Sequence, residues 1–185
     1  ACWGVNDITG GLYQRKQHSM VKVNPVYGIE SDKLWDTYYF EKQKKLYLTS
    51  IDKGVYIVDL NKIIQKNELL PNENILDIKL INSALYVLTA NEIVKIINNR
   101  VTARLTYNQV LHFLNKTKPF INQSSLFQST PLTLREVIDT KDYVGVTSNK
   151  GLIYLNYNLV PQKYLHENGQ VRVSILSNND IIMST

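Results

Sequence analysis

The chain has one cysteine, Cys2, among its 185 residues. One thiol cannot close an internal disulfide and cannot alone build a zinc site, which argues against a disulfide-dense secreted scaffold. Cys2 is expected to be a small, partly buried apolar residue at the start of a strand. No apolar run approaches the roughly 20 residues that cross a bilayer. Ala1 to Gly11 lack the basic start and apolar stretch of a secretion signal, so any such signal was removed before this numbering begins. Clustered positive charge is missing too, despite a formal net charge of +5. The densest basic group, Lys42, Lys44 and Lys45, has Glu41 beside it and reads as a solvated turn. Nucleic acid is therefore not an expected partner.

Catalytic and metal signatures are equally scarce. His18, His112 and His166 lie far apart, and no H-E-x-x-H or Cys/His spacing exists, so no metal site is expected. There is no G-x-S-x-G elbow and no G-x-x-x-x-G-K-[ST] loop, and Gly10-Gly11 reads as a turn. Asp32 with Asp36, and Asp139 with Asp142, are close enough for acid–base work, but they flank predicted strands where solvated turns are common. No cofactor and no catalytic residue is expected. The 44% hydrophobic and 20% charged composition is that of an ordinary globular protein.

What is present is a repeat. A short apolar and aromatic run ends in Thr or Ser, and a turn leads into a second apolar run. The unit reads Lys45-Leu-Tyr-Leu-Thr-Ser50, then Gly54-Val-Tyr-Ile-Val-Asp59. It returns as Ala84-Leu-Tyr-Val-Leu-Thr89 with Glu92 to Ile97, and as Tyr143-Val-Gly-Val-Thr-Ser148 with Gly151 to Leu155. Weaker versions stand at both ends, Ala1 to Val5 with Gly11 to Tyr13, and Asp180 to Thr185. Another strand-like run precedes each of the last four copies: Leu34 to Phe40, Ile75 to Ile81, Leu134 to Ile138 and Val171 to Leu176. A fourth strand fits Val101 to Tyr107 and Leu159 to His166. Most copies recur at close to the roughly 40 residues of a four-stranded propeller blade. One such sheet cannot bury both its faces, so blades come in series.

The expected fold is all-β, a β-propeller segment of antiparallel four-stranded blades, incomplete as a ring. A partial blade covers about 1–30, blades cover about 34–70, 75–107 and 134–167, and a partial blade covers 171–185. An insertion occupies about 108–133, with a helical turn or two over Gln109 to Leu114 that Pro119 stops, then a polar loop over Asn122 to Thr130. A short helix is also expected at Asn61 to Glu68. Both ends offer the second strand of a blade, so they cannot complete one blade together. Their open edges are expected to pair with another copy or with the rest of a parent receptor.

Cys2-Trp3-Gly4 with Gly10-Gly11-Leu12-Tyr13, and Leu46-Tyr-Leu-Thr-Ser with Gly54-Val-Tyr-Ile-Val-Asp59, resemble the two-component regulator propeller repeat. That repeat has a Leu-Trp-x-Gly-Thr strand, a short turn, then Gly-Gly-Leu-Tyr and an acidic residue. Tyr143 to Leu155 keeps the Thr and the Gly-Leu pair without the Trp, and Ala84 to Ile97 lacks both glycines. The resemblance implies a periplasmic sensor region of a Bacteroidetes histidine kinase or related regulator, part of an inner-membrane receptor, sensing nutrients such as glycans. The shared residues are structural and carry over no binding site. No kinase core or DNA-binding module stands in the chain.

The residues themselves suggest one place for a ligand. Trp35, Tyr38, Tyr39 and Phe40 form the richest aromatic cluster, and alternation would send Trp35 and Tyr39 to one face. Packing between blades accounts for the cluster. Alternatively Trp35 lies near a central pocket as a platform for a sugar or flat ligand. Asp52, Lys53, Asn149 and Lys150 would share its rim, or serve as ordinary turn residues. Three functions fit: a ligand-sensing segment, a protein-interaction scaffold, and a propeller enzyme such as a lyase or hydrolase.

Overall fold

The computed structural model describes residues 3–5, 10–60, 67–117, 131–166, 172–175 and 181–184. Cys2 and the expected loop at Asn122 to Thr130 lie outside them, as does Pro119. The strands are β1 (Trp3–Val5), β2 (Leu12–Lys16), β3 (Ser19–Lys22), β4 (Leu34–Phe40), β5 (Lys45–Ser50), β6 (Gly54–Asp59), β7 (Asn67–Leu69), β8 (Ile75–Ile81) and β9 (Ala84–Thr89). They continue as β10 (Glu92–Ile97), β11 (Arg100–Thr106), β12 (Leu134–Thr140), β13 (Tyr143–Ser148), β14 (Gly151–Leu155), β15 (Pro161–His166), β16 (Arg172–Ile175) and β17 (Ile181–Ser184). Among the described residues the α-helix is α1 (Tyr107–Thr117), which follows β11 directly.

These strands form three four-stranded sheets in sequence order, β4 to β7, β8 to β11 and β12 to β15. A three-stranded sheet β1-β2-β3 precedes them and a two-stranded sheet β16-β17 follows. Every pairing with a described register is antiparallel. The fold is all-β, a segment of propeller blades. The chain divides into two compact units, Ala1–Ile78 and Lys79–Thr185.

Turn chemistry sets the registers. Asn82-Ser83 and Asn98-Asn99 all have positive φ, the backbone that a two-residue hairpin needs to match strand twist. A turn forms where the charges from Glu41 to Lys45 suggest one: a 3-10 turn over Glu41–Gln43 ends on exposed Lys44 in the left-handed region, while Lys45 is half-buried at the start of β5. The expected helix over Asn61 to Glu68 is corrected at its end, where Asn67 and Glu68 belong to β7 and pair with Ile57 and Tyr56. An open edge on β6 wins that short stretch over helix propensity. Residues 61–66 lie outside the described residues.

In the first unit, Leu12, Val23, Ile29, Leu34, Leu46, Leu48, Tyr56 and Val58 make one core between the β1–β3 and β4–β7 sheets. In the second, β9 is buried from Ala84 to Thr89. Ile93 and Val94 of β10, Val137 of β12, Val146 of β13 and Ile153 of β14 are also buried. Buried on both faces, β5, β9 and β13 read as continuous apolar runs rather than alternating ones. Each fully buried aliphatic side chain stabilises by about 1.5–3 kcal/mol.

Helix α1 starts earlier than expected because of a capping box. Gln109 Oε1 accepts from the Thr106 N–H (2.8 Å), and the Gln109 N–H reaches back to Thr106 Oγ1 (3.4 Å). Val110 and Leu114 are its buried residues, one turn apart.

Candidate functional site

The Thr or Ser that ends each repeat has a physical task. Ser50 Oγ accepts from the backbone N–H of Asp52 (3.3 Å) and Lys53 (3.2 Å). Thr89 Oγ1 accepts from Asn91 and Glu92 N–H, both at 3.1 Å. Ser148 Oγ accepts from Lys150 N–H (3.1 Å) and donates to the Gly151 carbonyl (2.8 Å). The hydroxyl thus builds a turn at the end of β5, β9 and β13, satisfying donors that the ladder leaves open. All three hydroxyl residues are buried.

In the first unit this turn is elaborated. The Ser31 and Ser50 hydroxyls lie 2.8 and 2.7 Å from Asp52 Oδ1, and 3.0 Å from each other. Lys33 Nζ stands 3.7 Å from Asp52 Oδ2, and the Lys33 N–H donates to Ser31 Oγ (3.0 Å). The Ser50 hydroxyl, foremost, holds the Asp52 carboxyl below its ordinary value against the opposing cost of burial, with Ser31 and Lys33 adding to it. A carboxylate with a depressed pKa stabilises the fold above its unfolded value, and the gain is lost as pH falls through the folded value. Wild-type protein is therefore expected to lose part of its stability below the ordinary carboxylate value of 3.8. Urea midpoints at about pH 5 and about pH 3 should differ less in Asp52→Asn than in wild type. An equal difference would remove Asp52 from the account.

Behind this turn lies a buried asparagine. Asn24 is 4% exposed. Its Oδ1 accepts from the Leu12 N–H (2.5 Å), and its Nδ2 donates to the Ser31 carbonyl and to Asp32 Oδ1, both at 3.1 Å. Asp32 also pairs with Lys22 (2.8 Å). Gly10 and Gly11, at φ 66° and 100°, let the chain pass against Asp32 and Asn24. That pair is a turn, as its sequence suggests.

Trp35 follows the start of β4, where Leu34 pairs with Ser50 but Thr37 pairs with Leu48. Three steps on β4 against two on β5 make a β-bulge. The bulge interrupts the alternation that would have put Trp35 and Tyr39 on one face. Both are exposed, Trp35 by 56% and Tyr39 by 41%. The next residue, Asp36, accepts from the Thr37 N–H (2.6 Å), while its own N–H donates to Thr49 Oγ1 (2.8 Å). The same slip recurs on β12, where Arg135 is skipped between Leu134 and Glu136.

Trp35, Asp52 and Lys53 thus share the end of one sheet. Ser50 joins them, as the Cα partner of Leu34 and the acceptor for the turn. Lys53 is exposed. Asn149 and Lys150 lie on the β13–β14 turn of the other unit. Asn149 ties down the approach to β12, donating to the Pro131 carbonyl (2.8 Å) and accepting from the Thr133 N–H (2.9 Å). Lys150 is 9% exposed, and its carbonyl accepts from the Tyr164 hydroxyl. Burial raises the Tyr164 pKa, so that hydroxyl stays a donor. Ser31 and Asn24 escaped the sequence reading because the bonds that join them to Leu12, Asp32, Ser50, Asp52 and each other span 7 to 21 residues. The Asn24-Pro25 pair, which opens a 3-10 turn, was a local signal for Asn24.

Ala90, Asn91, Thr106, Tyr107 and Asn108 line an open pocket of about 380 Å³ where the β9–β10 turn meets the start of α1. Among the described residues no group of three or more His, Cys, Asp or Glu could hold a metal ion. No described helix is long and apolar enough to cross a membrane.

No family model matches the chain, and no curated protein matches it. Solved structures do. The extracellular domain assigned to the hybrid two-component system BT3049 of B. thetaiotaomicron superposes with a TM-score of 0.69 at 8% identity, over 99% of this chain. That assigned to the system BT4673 of the same organism gives 0.67 at 10% identity, over 98%. The chain carries the fold of these extracellular domains. It spans 24% of the length of each. The expected resemblance to a two-component sensor region is thereby met in fold.

Proposed function

We propose that the chain is a ligand-sensing, extracytoplasmic propeller segment of a two-component signalling receptor, itself non-catalytic. On this reading it lies in the periplasm as part of an inner-membrane receptor that carries a histidine kinase elsewhere. The observation that supports it most is Trp35, displayed by a bulge beside a turn that six hydrogen bonds tie together. An exposed indole costs the fold solvation and offers a flat apolar platform for a small molecule or glycan ring. A rigid neighbour lowers the ordering cost of binding. Asp52 and Lys53 supply an acceptor and donors for hydroxyl or carboxyl groups at its edge.

Calorimetry against a panel of oligosaccharides tests this. A binder should lose about tenfold or more in affinity in Trp35→Ala, the effect of removing a central aromatic anchor. A binder indifferent to Trp35, or no binder in the panel, would overturn the reading of this site.

A further inference from the structure

Each serine hydroxyl has one proton to give. Ser31 and Ser50 both lie within bonding distance of Asp52 Oδ1, and both also within bonding distance of each other. The cluster therefore has two arrangements. In one, both protons go to the carboxylate. In the other, with the carboxylate drawn away, Ser50 donates to Ser31 Oγ and the Ser31 proton loses its acceptor.

Ser31 belongs to the segment between β3 and β4, which crosses from one sheet to the next. Its carbonyl and the Asp32 carboxylate receive the two Asn24 Nδ2 bonds, and Asn24 Oδ1 receives the Leu12 N–H at the start of β2. Two links meet in Ser31, whose hydroxyl holds Asp52 of the β5–β6 turn and whose carbonyl holds Asn24, and through it Leu12 of the β1–β3 sheet. Ser31, Asn24 and Leu12 are 4%, 4% and 0% exposed, so water cannot stand in for a lost partner.

We propose that the Ser31–Ser50 pair is a relay coupling the state of the Asp52 carboxylate to the segment that holds the β1–β3 sheet. The relay rests on the reading of the Asp52 turn as part of a binding rim. A ligand that engages Asp52 would shift the hydroxyls to their second arrangement and loosen the hold of Asn24 on Leu12. This makes Asp52 a regulatory contact in addition to a rim residue. A two-arrangement element that both ends bias is the physical requirement for coupling between sites.

Hydrogen exchange on the unliganded protein tests it. Asp52→Ala and Ser31→Ala should each speed exchange of the Leu12 amide by about tenfold, while the Tyr56 and Val58 amides of β6 change far less. The double variant should add little to Ser31→Ala alone, because both act through one path. Asp52→Asn, which keeps the Oδ1 acceptor, should stay near wild type and serves if the alanine variants fold poorly. An unchanged Leu12 amide in Asp52→Ala, or one that speeds only in step with every other amide, would overturn the relay, as would Asp52→Asn behaving like Asp52→Ala. The readout uses no ligand, so the relay can fail while Trp35-dependent binding stands, and the reverse.

Discussion

Gly54→Ala is expected to destabilise the protein by about 3 kcal/mol or more, a large part of the 5–15 kcal/mol that holds a typical domain. Two costs combine. Gly54 has φ +77°, where an L-residue with a Cβ loses about 1–2 kcal/mol. The added Cβ would also stand 2.1 Å from the Leu70 carbonyl oxygen and 2.4 Å from that of Leu69. Both are backbone atoms, so no rotamer change relieves them. Leu70 is itself buried at φ 54°, which leaves it little freedom to yield. The end of β7 would have to move off β6. Gly28 is the control: it has φ +64°, but nothing lies within 4 Å of its added Cβ. Gly28→Ala should cost only about 1–2 kcal/mol. Urea unfolding measures both, and equal costs would show that conformation rather than the close passage of β7 explains Gly54.

The second large effect is expected at Tyr86. This side chain is 1% exposed, and its hydroxyl donates to the Tyr157 carbonyl (2.8 Å), joining the β8–β11 sheet to the loop before β15. Tyr86→Ala removes a buried aromatic ring and should cost about 3–5 kcal/mol. Tyr86→Phe keeps the ring and removes the donor, for about 1 kcal/mol plus the cost of an unpaired carbonyl. Burial, with nearby Tyr157 and Asp139, raises the Tyr86 pKa to about 12. A phenol whose pKa is raised on folding stabilises fully below its ordinary value of 10.0, and the gain is lost as pH rises toward about 12. Alkaline unfolding of wild type should therefore steepen in that window, and Tyr86→Phe should flatten it. A Tyr86→Ala variant as stable as wild type would remove the residue from the core account.

Strand positions were legible because the repeat carries its own punctuation. Leu34–Phe40, Ile75–Ile81, Ala84–Thr89 and Gly151–Leu155 stand where the apolar runs and turn formers put them. The hydroxyl at the end of each copy was visible as a pattern, and the turn it caps gives the pattern its reason. The bulge at Trp35 was not legible, because an extra residue in one strand shows only against its partner. The Asn24–Ser31–Asp52 network was also hidden, since it joins groups 7 to 21 residues apart through the meeting of two sheets. The grouping of Trp35 with Asp52 and Lys53 follows from the β4–β5–β6 hairpins. Asn149 and Lys150 were grouped with them by turn chemistry alone, and the turn chemistry is what the structure gives them.

The recurrent slip in the first strand of a blade has a consequence for how such a scaffold diversifies. At Leu34–Thr37 the first strand takes three steps against two on its partner, and at Leu134–Glu136 it takes two against one. The first side chain of each slip, Trp35 and Arg135, is exposed. One blade shows an indole there and another a guanidinium, on the same frame. The ladder on either side fixes the backbone, while the side chain at the slip stands out of the regular alternation. Such a position works as an interchangeable display slot, and descendants of one blade could acquire different chemical tastes there while their cores stay alike.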